Sequence, residues 1–95
     1  MCERIYTTIY GGQIQILREL QNGKIVNDEV INRYIAQSKK QNPIFFEKWD
    51  VNAYMGYLLT SNLVIFLNDK YAITFFGTDF LNWMRQQGKS ENKPY

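Results

Sequence analysis

Few residues in this chain have the type and spacing that bond-making chemistry needs. It has no histidine, which removes the commonest general base and the commonest metal ligand. Its one cysteine, Cys2, allows neither an internal disulfide nor a thiolate cage for zinc. That usage fits a reducing, cytoplasmic setting, with Cys2 as an ordinary terminal thiol. The acidic residues Asp28 and Glu29, and Asp69 with Asp79, have the right type for acid–base work. They read more simply as helix-start and turn residues. Gly11-Gly12 lacks the surrounding pattern of a phosphate loop, and no nucleotide fingerprint occurs. A catalytic pocket needs convergent titratable groups, and none can be assembled. The expectation is a protein that is not an enzyme and holds no metal or cofactor.

Recognition chemistry is better represented. Between Val51 and Ser61, helical spacing places Ala53, Gly56, Tyr57 and Thr60 on one face, with Asn52 beside them. Small residues let a second backbone come close, and tyrosine is a common interface anchor. Phe66 and Tyr71, further along, extend this protein-contact reading. A glycine merely tolerated on a helix surface is the plainer reading of Gly56. The same region offers nucleic-acid chemistry: Asn52 suits an adenine edge, Thr60 a phosphate, and Lys48 and Lys70 supply charge. That charge is sparse. No Lys or Arg lies between Val51 and Asp69, whereas tight binders contact roughly six to ten phosphates. Lys39 and Lys40 add a small basic patch, or simply complement a helix end.

Composition sets the frame for these residues. The chain has 95 residues, of which 45% are hydrophobic and 16% aromatic, with a net charge of +2 from 11 basic and 9 acidic residues. This is the size of one small domain and too apolar for a disordered chain. The longest apolar run, Leu63 to Leu67, is far short of the ~20 residues that span a bilayer. The N-terminus has no signal-peptide core. The segment is therefore expected to be soluble, not exported, and without membrane contact of its own.

Four helices and a hairpin are predicted to carry the candidate residues. A first helix covers Ile5 to Lys24, with Ile9, Ile16, Leu17 and Leu20 near helical spacing and Gly23 as its C′ residue. The alternation in Gln13–Leu17 leaves a strand open there. A second helix starts at the N-cap Asn27, places Asp28 and Glu29 in its first turn, and buries Val30, Ile31, Tyr34 and Ile35. Pro43 ends it. Phe45, Phe46 and Trp49 plug the connector. Asp50 caps a third helix, Val51 to about Ser61, with Val51, Tyr54, Met55, Leu58 and Leu59 as its core face. Two β-like runs flank Asn68-Asp69-Lys70, since Asn and Asp tolerate positive φ. Thr74 caps a last helix through Gln87, with Phe76, Phe80, Leu81 and Met84 inward. Residues 89–95 form a polar tail, poorly ordered unless Tyr95 docks.

The stretch Leu58-Leu59-x-x-x-Leu63-Val64, a short hairpin, then Tyr71-x-Ile73-Thr74-x-x-Gly77-x-x-Phe80-Leu81 resembles the winged helix-turn-helix superfamily. Ile9 to Leu17 and Gly88 to Pro94 resemble the opening and closing motifs of a type found as a C-terminal cytoplasmic module in some bacterial proteins. The resemblance implies an α+β, mostly helical fold of three helices, a hairpin wing and a C-terminal helix, as one domain over residues 1–95. Winged helices serve both as DNA readers and as protein-contact modules. Two readings follow. One is an interaction module that contacts another protein, or a second copy as a homodimer, through Ala53, Gly56, Tyr57, Phe66 and Tyr71. The other is a weak DNA-binding regulator of bacterial, phage or plasmid type that uses Lys48, Asn52, Thr60 and Lys70. A purely structural role within a larger chain is a third.

Overall fold

The structure, a computed structural model, describes residues 2–95. Helices α1 (Cys2–Thr8), α2 (Gly11–Gln21), α3 (Asp28–Gln41) and α4 (Val51–Thr60) precede strands β1 (Val64–Leu67) and β2 (Lys70–Ile73), and α5 (Phe75–Gln86) follows. From α2 onward this is the winged-helix arrangement: three helices, a two-stranded wing and a closing helix.

The helix foreseen over Ile5 to Lys24 is in fact two helices. Tyr10 is extended (φ −93°, ψ 158°). Its N–H donates to Gln13 Oε1 at 2.9 Å, and the Gln13 amide nitrogen donates onward to the Tyr54 carbonyl at 2.7 Å. The next N–H, of Gly11, donates to the Pro94 carbonyl at 3.1 Å. The break is thus stabilised by partners far away in sequence. The alternation in Gln13–Leu17 is helical, not strand. It arises because α2 is the central helix: Gln13, Ile14, Ile16 and Leu17 are all buried, and a helix enclosed nearly all round loses its one-sided pattern.

Capping follows the local chemistry. The side chains of Asn27, Asp50 and Thr74 accept from the N–H groups of Val30, Ala53 and Gly77 at 3.0, 2.8 and 2.9 Å. Each satisfies a backbone donor that the first helical turn leaves orphaned. Helix α4 ends with Asn62 in the left-handed region (φ 64°). There Asn62 N–H donates to Leu59 O at 3.1 Å and Leu63 N–H to Leu58 O at 3.0 Å, which is a Schellman ending.

The wing is antiparallel, with Val64 opposite Ile73, Ile65 opposite Ala72, Phe66 opposite Tyr71, and Leu67 opposite Lys70. Lys70 therefore belongs to the strand, and the turn is Asn68-Asp69 alone. Both have positive φ (52° and 61°), as a two-residue type I′ turn requires. Directly paired residues share a face. Val64, Phe66, Tyr71 and Ile73 face the helices, while Ile65, Leu67, Lys70 and Ala72 face away. Helix α5 lies against the entry of β1 so closely that a Cβ on Gly77 would overlap the Leu63 carbonyl oxygen. Leu17, Ile31, Tyr54, Leu58, Leu63 and Phe80 are fully buried at the centre.

The tail docks rather than running free. Arg18 holds Glu91 through both carboxylate oxygens at 2.5–3.0 Å. The Tyr6 hydroxyl donates to Ser90 O at 2.8 Å, and Lys93 Nζ bonds the Tyr6 carbonyl and lies over the Tyr6 ring. Tyr95 inserts its ring beside Phe46 and Tyr10, with centroids 5.1 and 5.9 Å away. Of the three connector aromatics expected to plug the core, Phe46 is buried and Trp49 half-buried. Phe45 is the exception: it packs edge-on to Phe46 yet stays 52% exposed.

Candidate interaction face

The contact residues expected on α4 follow from its cap. Asp50 starts the helix in a register that buries Tyr54, Met55 and Leu58. Asn52, Ala53 and Thr60 are then exposed, and Gly56 and Tyr57 lie half-buried at the rim. A Cβ at Gly56 would meet nothing within 4 Å. The position is open to solvent, and no packing within this chain requires the glycine. Tyr57 rests its ring against the edge of the core. The Thr60 hydroxyl is engaged locally, donating to Tyr57 O at 3.3 Å.

On the wing, Phe66 and Tyr71 lie against each other across the strands, with ring centroids 4.7 Å apart and planes tilted by 53°. Tyr71 is half-buried, but Phe66 remains 47% exposed. On the outer face Ile65 and Leu67 are 43% and 59% exposed. A strand that is apolar on both faces is therefore left largely uncovered by its own chain. Helix α5 packs on the wing through β2, beside Ile73.

The structure gathers only part of the predicted set. Phe66, Tyr71 and Asn52 line one groove, whose floor includes Val51 and Leu59. Ala53, Gly56 and Tyr57 lie on the neighbouring side of α4 and do not line it. Of the residues proposed to touch nucleic acid, Lys48, Asn52, Thr60 and Lys70 are all exposed. Lys70 is on the wing's outer face, away from Phe66, and Lys48 is in the connector before α4.

The groove also contains residues whose local place is a helix start or a turn. Asp28 and Asp50 stand at the starts of α3 and α4, and Glu29 and Asp69 at the adjoining end. The Tyr71 hydroxyl is held above its ordinary range by burial and, secondarily, by the negative charge of Asp28. The signal for this convergence was present but distributed: two acidic helix starts and one acidic turn meet only once the wing folds back. Among the described residues, no group of three or more His, Cys, Asp or Glu is placed to hold a metal ion. No described helix is long and apolar enough to cross a membrane. In comparisons with known proteins, no family model matches, and no curated protein or solved structure matches significantly.

Proposed function

We propose that this protein is a winged-helix interaction module that works by protein–protein contact, using the rim of α4 (Ala53, Gly56, Tyr57) and the wing (Phe66, Tyr71). The observation that carries it is the wing strand. Ile65, Phe66 and Leu67 are all more than two-fifths exposed, beside a helix without a single basic residue. Exposed apolar side chains clustered on a small protein mark contact surfaces. The order of elements and the terminal motifs support the further reading that it is a cytoplasmic domain of a larger bacterial protein.

The competing reading is a weak DNA binder. Its support is the exposure of Lys48, Asn52, Thr60 and Lys70 together with the winged-helix order. Against it stand the sparse charge and the acidic residues beside Asn52, which repel phosphate.

Photo-crosslinking amino acids at positions 56 and 66, compared with one at the exposed Gln37 on α3, test the proposal in cells that express the protein. Protein adducts from 56 and 66 but not from 37 are expected. Adducts from all three alike, or from none, overturn it. So does binding to mixed duplex DNA that weakens steeply with salt and disappears in the variant combining Lys48→Ala with Lys70→Ala.

A further inference from the structure

The groove between the wing and the starts of α3 and α4 has two adjoining lobes of about 540 and 500 Å³, which share Asp28, Phe66 and Tyr71. Its floor is apolar and aromatic: Val51, Leu59, Phe66 and Tyr71. Its charged lining is Asp28, Glu29, Asp50 and Asp69, with no Lys or Arg. Four of the chain's 9 acidic residues thus border this one apolar surface, although the protein carries a net charge of +2. The nearest cation along the wing, Lys70, is on the opposite face of the sheet, because it pairs with Leu67 and not with the Phe66–Tyr71 side.

Part of this charge is compensated. Asp50 accepts the Ala53 N–H, and Asp28 lies in the first turn of α3, where the helix dipole is positive. Glu29 shares that first turn with Asp28, and Asp69 stands in the wing turn rather than at a helix start. The occupant must offset this negative field and cover an exposed phenylalanine. Phosphate backbones have the wrong charge. A second copy docking by the same face is also disfavoured. A two-fold interface is self-complementary, so it would bring acid against acid.

We propose that this groove docks a basic, amphipathic segment of a partner protein. One aliphatic or aromatic side chain of that segment sits over Phe66 and Tyr71, and flanking Lys or Arg side chains meet Asp28, Glu29 and Asp69. The Tyr71 and Phe66 rings add an attraction for a cation that passes over them. The inference rests on the protein-contact reading and specifies its partner.

The test uses the intact protein and an array of short peptides. Each carries one Leu, Phe or Trp anchor, flanked in turn by Lys/Arg, by Ser/Asn or by Asp/Glu. Binding is followed by anisotropy and located by amide chemical shifts. The Lys/Arg set is expected to bind at least about fivefold more tightly than the neutral set, as a few exposed ion pairs allow, with shifts centred on Val51, Leu59, Phe66 and Tyr71. The preference should vanish at high salt and in the variant combining Asp28→Asn, Glu29→Gln and Asp69→Asn. Phe66→Ser should lose binding while its unfolding temperature shows that the fold is kept. Neutral or acidic peptides that bind the same surface equally well overturn the basic-segment inference but leave the protein-contact reading standing. Self-association through this face does the same. Binding by no peptide also removes the inference. Duplex DNA bound on α4 overturns both.

Discussion

Tyr54 is the residue at which folding leaves something unsettled. Its ring is fully buried, and its hydroxyl has no hydrogen-bond partner. Ser38 lies beside it but directs its own hydroxyl to the Tyr95 carbonyl oxygen at 3.1 Å. Burial, with the Tyr10 phenol adding to it, pushes the Tyr54 hydroxyl up to about 12, against a smaller opposing effect of Ser38. The ordinary value is 10.0. The folded protein therefore keeps a proton that the unfolded chain releases above pH 10. Stability is fully present below that value and falls as pH rises from 10 toward 12, by up to roughly 3 kcal/mol. Tyr34, also held near 12 by burial and by its bond to Glu19, adds to the same slope. Tyr54→Phe removes an unpaired polar atom from the core, so at neutral pH it should be neutral or slightly stabilising. The difference between variant and wild type should widen above pH 10. Urea midpoints across that range measure both effects, and a Tyr54→Phe variant as alkali-sensitive as wild type would rule out this account.

Among the elements, the wing and α5 show what was legible in the sequence and what was not. The caps at Asn27, Asp50 and Thr74 and the Asn68-Asp69 turn were readable because their causes are local: a side chain three residues from the N–H it satisfies, or a pair that tolerates positive φ. The break before α2 was not readable. Its determinants, the Tyr54 carbonyl and Pro94, are more than forty residues away (positions 13 to 54, and 11 to 94). The acidic groove was hidden for the same reason: each acid has a sufficient local explanation, and only the tertiary fold makes them neighbours. Gly77 allows a direct test of the α5–wing junction. Gly77→Ala drives a methyl group into the Leu63 carbonyl and the Ile73 side chain, and backbone cannot yield as a side-chain tip can. A loss of about 2–3 kcal/mol is expected, despite alanine's better helix propensity. If calorimetry finds Gly77→Ala unchanged or stabilised, the close contact of α5 with Leu63 and Ile73 is ruled out.

At the scale of the whole molecule, the tail closes the structure. Residues 89–95 connect α1, α2 and α3: Ser90 and Lys93 engage Tyr6, Glu91 engages Arg18, and Pro94 completes the Gly11 N–H. Tyr95 reaches the end of α3, where its hydroxyl accepts from Asn42 at 3.3 Å and its N–H donates to Gln41 at 3.2 Å. The helix bundle presents Gly11 and Gly12 toward this strand of chain, and a Cβ on either would strike it. The ion pair is a lesser part of the attachment. Its side chains are 28% and 39% exposed, so it contributes on the order of 0.5 kcal/mol. The Arg18 hydrogen bond holds the Glu91 carboxyl below its ordinary value. Its contribution is accordingly present above about pH 4.3 and lost as pH falls through the lower folded value. The buried aromatic contacts and the Gly11 bond do not titrate in that range. Truncation after Gly88 should therefore cost much more than Glu91→Gln, about 3 kcal/mol from the exposed Tyr10–Phe46 surface and the lost bonds. The truncation penalty should persist at low pH, whereas the Glu91→Gln difference should shrink to nothing as pH falls through the lowered Glu91 value. Paired urea unfolding curves at neutral and acid pH separate the two. A truncation no more costly than Glu91→Gln would mean that the tail is held only by its charge, and the helices would then have to form their core without it.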